Sequence, residues 1–362
     1  MTAVAPTPVL GRWRERAARL AGLVVTPLVP SDYVDLVDPL RSGTALRGRV
    51  VEVRPETADA ATIVLRPGRG WRGHVPGQYL RIGVDVDGVR LWRSYSLTSP
   101  ADRQDGCVTI TVKAQPGGTV SEHLVRRARP GLVVQLDQAA GDFVLPAVAP
   151  AKALFVTAGS GITPVMGMLR SAGPELRDAV VVHSAPTADE VVFGTELRRL
   201  AAAGRVRLVE RHTRVDGHLK PAELADLVPD LADREAWACG PVAMLDALED
   251  HWSGLGLREQ LHTERFSTSV LVTGEGGTVL FGRSAVTVEA PGGIALLDAG
   301  EAAGVLMPSG CRMGICFGCV VPLRTGAVRD LRDGALTTAV EGDGVRVQTC
   351  INAAAGPCEL DL

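Results

Sequence analysis

The sequence predicts a multidomain protein: an antiparallel β-barrel, an α/β doubly wound domain and a small β-grasp unit. The boundaries read as 46–147, 148–266 and 267–362, after an N-terminal extension over 1–45. Three observations predict this. At 362 residues the chain exceeds what one hydrophobic core ordinarily serves. Its 46% hydrophobic and 22% charged residues, with a formal charge of −3, are those of a globular protein with no long apolar run. The hydrophobic periodicity also changes twice, from strand-length runs to alternating strand and helix, and back again.

The extension comes first. Its apolar stretch from Leu20 to Pro30 falls far short of the roughly 20 residues a membrane span requires. Arginines precede it within Gly11–Arg19, but no small-residue cleavage site follows, which argues against a signal peptide. It reads as an amphipathic segment that packs on the body or on a partner.

The barrel follows from six short runs: Leu46–Val53, Thr62–Leu65, Gln78–Val84, Val89–Leu97, Val108–Lys113 and Leu132–Leu136. Turn signals separate them at Pro67–Gly70, Asp85–Gly88 and Pro116–Gly118. Strands this short and this evenly spaced suit a small antiparallel barrel. The next block alternates. Strands are expected at Ala153–Thr157, Ala179–His183, Arg205–Val209 and Glu235–Ala238, with helices from Thr163, over Glu190–Ala203 and from Pro241. That alternation argues for a parallel doubly wound sheet. Beyond Ser267 a hairpin (Thr278–Phe281, Ala285–Glu289), a helical period (Ile294–Ala303), a cysteine-rich loop and closing strands (Val345–Cys350, Cys358–Leu362) give the order of a β-grasp unit.

Charge excludes one class of function. Lysine occurs only at Lys113, Lys152 and Lys220, and acids and bases are nearly balanced and scattered, so there is no electrostatic footprint for nucleic acid. The seven cysteines are an odd number with four in one pattern, which points to metal or redox chemistry in a cytoplasmic chain. Cys107 and Cys358 sit in strand-like runs and read as buried bystanders.

That pattern is Cys311-Arg-Met-Gly-Ile-Cys316-Phe-Gly-Cys319, with Cys350 downstream. The spacing C-x4-C-x2-C…C is that of a plant-type [2Fe–2S] cluster. Four thiolates must converge on two irons while backbone amides point at the sulfides. Zinc would prefer paired C-x2-C hooks or histidines, and no histidine follows His262.

Two further motifs carry a resemblance. Pro76-Gly77-Gln78-Tyr79 precedes Arg93-Ser94-Tyr95-Ser96 at the end of a strand. The pair resembles the flavin-binding barrel of the ferredoxin–NADP reductase superfamily. The resemblance implies that Arg93 clamps the flavin phosphate, Tyr95 packs on the isoalloxazine and Ser96 bonds near N5. These residue types suit those tasks: guanidinium forks to phosphate, and an aromatic covers an apolar ring face. Gly117-Gly118-Thr119-Val120-Ser121 looks like the same family's pyrophosphate turn, which favours FAD over FMN.

Gly159-Ser160-Gly161-Ile162-Thr163-Pro164 is not the G-x-G-x-x-G fingerprint. It resembles the superfamily's G-x-G-I-T-P turn, where backbone amides and Thr163 meet the NAD(P) pyrophosphate and Pro164 suits the first helical turn. Cys239-Gly240-Pro241 resembles the C-G-P turn beside the nicotinamide, with Gly240 admitting the ring and Cys239 lining the hydride path. Glu264-Arg265-Phe266 closes the domain; Phe266 either shields the flavin or serves as a hinge or core residue. His183-Ser184-Ala185-Pro186 carries no acid for a ribose hydroxyl, and Arg211 and Arg214 could pair a 2′-phosphate. That tilts the coenzyme to NADPH over NADH.

The domain order then implies a relay from NAD(P)H to FAD to [2Fe–2S] to an external acceptor protein: an oxygenase, a hydroxylase or a membrane desaturase. The wording of the cysteine loop and Asp38-Pro39 look most like actinobacterial partners of acyl desaturases or hydroxylases. A flavin is required because nicotinamide moves two electrons together and the cluster takes one. No protein acid or base is called for. One chain carrying every centre needs no dimer, so a monomer is expected. The alternatives are an FMN-containing, NADH-dependent dioxygenase reductase and a reductase acting directly on a small acceptor.

Overall fold

The computed structural model describes residues 38, 40–41, 45–173, 176–266, 272–310, 312, 314 and 317–362. The expectations for the extension, apart from its last few positions, and those for Cys311 and Cys316 lie outside the described residues.

Six antiparallel strands build the first domain: β1 (Arg47–Thr57), β2 (Ala60–Pro67), β3 (Tyr79–Val86), β4 (Val89–Ser96), β5 (Val108–Lys113) and β6 (Val133–Leu136). Their order is β4-β3-β6-β1-β2-β5, and a bridge between Leu97 and Ile110 joins the two edges into a barrel. Closure removes the exposed edges that an open sheet would present. Ile63, Leu65, Leu80, Ile82, Val84 and Ile110 fill the interior. Helix α1 (Thr119–Arg126) lays Val120 and Leu124 into one end.

The second domain is a parallel sheet of β7 (Lys152–Ala158), β8 (Asp178–Ala185), β9 (Arg207–His212), β10 (Glu235–Cys239) and β11 (Leu261–Glu264). The order is β11-β10-β7-β8-β9. Its main helices are α2 (Ile162–Ser171), α3 (Gly194–Ala202) and α4 (Val242–Gly254). The chain winds from β7 outward through β8 and β9, then crosses to β10 and β11 on the other side. Loops leaving β7 and β10 therefore diverge, and ligands of such sheets bind at that crevice. The short polar edge strand β11 has no strand-like pattern in the sequence. The helix expected over Glu190–Ala203 is shorter, because Ala188–Glu190 forms a 3₁₀ turn and Phe193 takes a left-handed φ of 61° before α3.

Barrel and sheet are tied by specific bonds. Arg170 of α2 pairs with Glu196 (2.6 Å) and donates from Nη1 to the Thr98 carbonyl at 2.6 Å. Trp237 Nε1 donates to the Val144 carbonyl at 3.2 Å.

The third domain contains β12 (Gly277–Phe281), β13 (Val286–Ala290), helix α5 (Leu296–Ala302), β14 (Val320–Asp330), β15 (Leu336–Ala339), β16 (Arg346–Gln348) and β17 (Asn352–Leu360). The sheet runs β13-β12-β17-β14-β15, with β16 on β14. Only the β12–β17 pairing is parallel, which gives the mixed sheet of a β-grasp unit with α5 across it. Strand β14 is longer than any other but β1, yet its sequence does not read as a strand. Pro322 and Gly326 interrupt it, and its pairing with β17 carries two register shifts. Among the described residues no helix is long and apolar enough to cross a membrane.

Candidate active site

The three domains meet around one cavity of about 1050 Å³. The barrel contributes Arg93, Ser94, Tyr95 and Ser96 from β4, Thr111 and Lys113 from β5, and Gly118, Val120 and Ser121 at the start of α1. The sheet contributes the loop after β7 (Ala158 to Gly161, then Thr163), the end of β8 (Ser184 to Pro186), and Gly240 and Pro241 after β10. Phe266 and Arg312 complete it, the latter from the cysteine loop of the third domain.

Two features say what this cavity accepts. Its described lining holds Arg93, Lys113 and Arg312 and no aspartate or glutamate. Arg93, on a wall without carboxylates, fits a phosphate ligand, while Lys113 is held by Asp59 and Arg312 by Asp298 and Glu301. Three buried hydroxyls on the wall, Ser94 Oγ, Ser96 Oγ and Ser184 Oγ, have no hydrogen-bond partner in the protein. A buried polar group without a partner costs about 1–3 kcal/mol, so these atoms mark positions where a ligand completes the site.

Each predicted residue can now be placed. Arg93 donates from Nη1 to the Trp92 carbonyl at 2.8 Å. Burial lowers its pKa and the nearby Arg312 guanidinium lowers it further, while Glu301 and Asp298 oppose them. Burial pushes the Tyr95 phenol up, so it stays neutral. Ser96 is 3% exposed. In the turn ahead of α1, Ser121 Oγ donates to the Gly118 carbonyl (3.1 Å) and accepts from the Gln115 N–H (3.1 Å). Gly118 and Ser121 border the cavity; Gly117, whose N–H donates to Glu122 (3.2 Å), and Thr119 are not on its wall. Gly118, Val120 and Ser121 at the start of α1 thus share the cavity wall with Arg93, and the first turn of a helix offers N–H groups to an anion.

Gly159, Gly161 and Thr163 border the cavity, and Pro164 lies buried in the first turn of α2. Thr163 Oγ1 donates to the Ser160 carbonyl at 2.8 Å, which fixes the turn and leaves its lone pairs available. Gly161 is the tightest point: a Cβ there would lie 2.0 Å from the Cys239 carbonyl oxygen. Only glycine lets the loops after β7 and β10 touch at the switch point.

Three expectations need correction. Cys239 is fully buried and does not line the cavity; Gly240 and Pro241 do. Its side chain alternates into the core beside Trp237 and Phe155, and desolvation raises its thiol pKa. Arg211 is occupied within its own loop, donating to the Gly217 (2.9 Å) and Asp216 (2.7 Å) carbonyls and pairing with Glu223 at 3.2 Å. Arg214 lies near Glu190 (3.6 Å) with a largely exposed side chain. At that edge Thr213, His218 and Leu219 form the wall, and neither arginine does.

Sequence reasoning gave no role to Glu264. It pairs in register with Cys239 across β11 and β10. Its Oε2 is buried without a partner, and burial, with Asp142 nearby, pushes its pKa up to about 8. No local pattern signals this; it follows from strand register. Lys113 on the wall, paired with Asp59 at 2.5 Å, and Arg312 were likewise not singled out.

Of the four cysteines expected to hold the cluster, two lie among the described residues. Cys319 and Cys350 are buried at 1% and 4% exposure. The Cys319 carbonyl accepts both the Thr349 N–H (3.2 Å) and its hydroxyl (3.1 Å), which holds the two cysteine segments side by side. Gln348 Nε2 donates to the Gly314 carbonyl at 2.9 Å and pins the loop. Two buried cysteines, one in the turn just before β14 and one in the turn between β16 and β17, fit a cluster whose other ligands come from the loop that precedes Cys319.

A barrel with an anion-receptive cavity, a nucleotide sheet opening onto it and a cysteine loop at its rim define a flavin- and iron–sulfur-dependent nicotinamide oxidoreductase. Comparison with known proteins agrees. The chain matches the oxidoreductase FAD-binding domain over residues 57–145, the oxidoreductase NAD-binding domain over 155–250 and the 2Fe-2S iron-sulfur cluster binding domain over 281–354. It is 49% identical over 351 residues to an NADPH oxidoreductase of Mycobacterium tuberculosis, covering 95% of this chain and 91% of that one. It is 32% identical over 340 residues to the ferredoxin reductase component of 3-ketosteroid-9-alpha-monooxygenase from the same species, covering 83% and 94%. Phthalate dioxygenase reductase shares the fold with a TM-score of 0.61 at 23% identity, over 88% of this chain and 98% of that one. The chain belongs to the ferredoxin-reductase-type NAD(P)H-dependent oxidoreductases that carry FAD and a C-terminal [2Fe–2S] domain.

Proposed function

We propose that this chain draws its electrons from NADPH and delivers them from its cluster to a separate oxygenase, hydroxylase or membrane acyl desaturase. The observation that carries the reading is the single cavity that Arg312 of the cysteine loop shares with the flavin and nicotinamide motifs. FAD, when bound, supplies the step from a hydride pair to single electrons. Everything else is done by the chain's own residues. Arg93, Gly118 and Ser121 bind phosphate, Tyr95 covers an apolar ring face, and Ser96 offers its unpartnered hydroxyl to the ring edge. Gly161 and Gly240 keep the switch point narrow, and Phe266, 40% exposed at the cavity mouth, excludes water until the nicotinamide displaces it. Cys311, Cys316, Cys319 and Cys350 hold the cluster.

NADPH is favoured by the acid-free wall at Thr213 and His218 and by the name of the 49% identical relative. Arg214, in the same loop as Thr213, can swing to a 2′-phosphate by giving up its long contact with Glu190. The acceptor class is supported by a relative that is the reductase component of a monooxygenase and by the wording of the cysteine loop. Such a relay works as a monomer in the cytoplasm. The test supplies the purified holoprotein and NADPH to membranes bearing an acyl desaturase. The expected result is NADPH-dependent desaturation that the Cys350→Ser variant cannot support. Equal turnover with that variant, or a preference for a quinone or ferric chelate that survives it, would contradict the reading.

A further inference from the structure

The third domain touches the barrel through two arginines that reach in opposite directions. Arg81 stands on β3, where its register partner is Ser94 of the flavin strand. Its guanidinium pairs with Asp137 at 3.1 Å and lies over Trp92 at 5.1 Å. From there Nη2 reaches to 3.5 Å from the Ser309 carbonyl oxygen, just ahead of the cysteine loop. The loop closes on it so tightly that a Cβ at Gly318 would sit 3.0 Å from the same Nη2. Arg312 does the converse. It springs from the cysteine loop with a left-handed φ of 60° and is held by its own domain, on Asp298 at 2.7 Å and on Glu301, both of α5. Its guanidinium then enters the wall of the flavin cavity, close enough to Arg93 to depress that residue's pKa.

Each arginine is neutralised by acids of its own domain; Arg81 bonds across to the third domain, while Arg312 shares the cavity wall with Arg93 as a like charge. That arrangement offsets part of the desolvation cost of each charge, because neither is left unpaired, and a planar guanidinium can bond a carbonyl and stack on an aromatic together. It is also local to the cysteine loop.

We propose that Arg81 is a positioning residue, a latch that keeps the cysteine loop docked on the flavin barrel throughout turnover, with Arg312 fixing that loop from within its own domain through Asp298 and Glu301. Electrons then cross from flavin to cluster over a fixed interface, with no swinging of the ferredoxin domain. The proposal rests on the relay through the cluster, and the experiment separates the two. Holoprotein is mixed rapidly with NADPH without oxygen, following flavin reduction and cluster reduction as separate phases, at rising glycerol and rising salt. Amide exchange near Ser309 and Gly318 is measured in parallel on the resting protein.

In the wild type the flavin-to-cluster phase is expected to ignore both viscosity and salt. In Arg81→Ala the flavin-reduction phase stays unchanged. Loss of one charge-assisted contact shifts docking about tenfold toward the undocked state. Exchange at Ser309 and Gly318 rises accordingly, and the second phase becomes slower and viscosity-dependent. Arg81→Lys restores part of the protection, and Glu301→Gln moves both readouts in the same direction by less. A wild-type second phase already limited by viscosity would overturn the latch, as would unchanged exchange and kinetics in Arg81→Ala. A wild-type cluster that NADPH never reduces would instead overturn the relay itself.

Discussion

On the nicotinamide side, the strand ends bring backbone and small side chains to the cavity wall: Gly159, Gly161, Gly240, and Ser184 with its unpartnered hydroxyl. On the cluster side it is one long cation, Arg312, already satisfied by Asp298 and Glu301. The contrast follows from what each side must do. A coenzyme arrives and leaves in every turnover, so its wall keeps hydrogen-bonding capacity in reserve. The cluster never leaves, so its side can be completed within the protein and held there.

Breaking the cluster side should have the largest effect. Cys350→Ser is expected to lose most NADPH-driven cytochrome c reduction while keeping reduction of a two-electron dye. Undiminished cytochrome c reduction would show that electrons bypass the cluster. Next comes the cation shared by both sides. Arg93→Ala should bind FAD roughly 10- to 100-fold more weakly, the worth of a charged hydrogen bond, and purify with little flavin absorbance; full occupancy would remove Arg93 from the phosphate wall. The nicotinamide side is probed by Gly161→Ala. Overpacking of about 1–3 kcal/mol against the Cys239 carbonyl should raise the KM for coenzyme about tenfold and leave flavin content intact. An unchanged KM would mean that the two loops part without cost.

The smallest effect concerns stability. The Glu264 carboxyl titrates near 8 in the fold against an ordinary value of 4.5. Between those values the native state keeps a proton that the unfolded chain gives up. Wild-type stability should therefore fall as pH rises through this window, and the slope should be shallower in Glu264→Gln. Urea titrations at a series of pH values measure it, and identical slopes would contradict the burial of that carboxyl.

The same contrast explains what the sequence made legible. The barrel strands announce themselves because Val108–Lys113 and its neighbours are apolar runs between turn residues, and the fold class follows. The glycine turns after β7 and β10 are legible because backbone that must approach a phosphate leaves few residue choices. The ferredoxin side is harder. Strand β14 hides behind Pro322 and Gly326, which bulges accommodate. Arg312 looks like any arginine in a loop until α5 folds beneath it. Cys239 misleads and Glu264 goes unnoticed for one reason: side chains alternate along a strand, and only the register of β10 on β11 shows that both turn into the protein rather than toward the coenzyme.

The central claim is that hydride intake and electron exit share one cavity within one molecule. It is tested most directly by oxygen-free rapid mixing of the holoprotein with NADPH over a wide range of protein concentrations, reading the cluster signal after flavin reduction. The account predicts a rate of cluster reduction independent of protein concentration. A rate that rises in proportion to concentration would mean that electrons pass between molecules, and would contradict it.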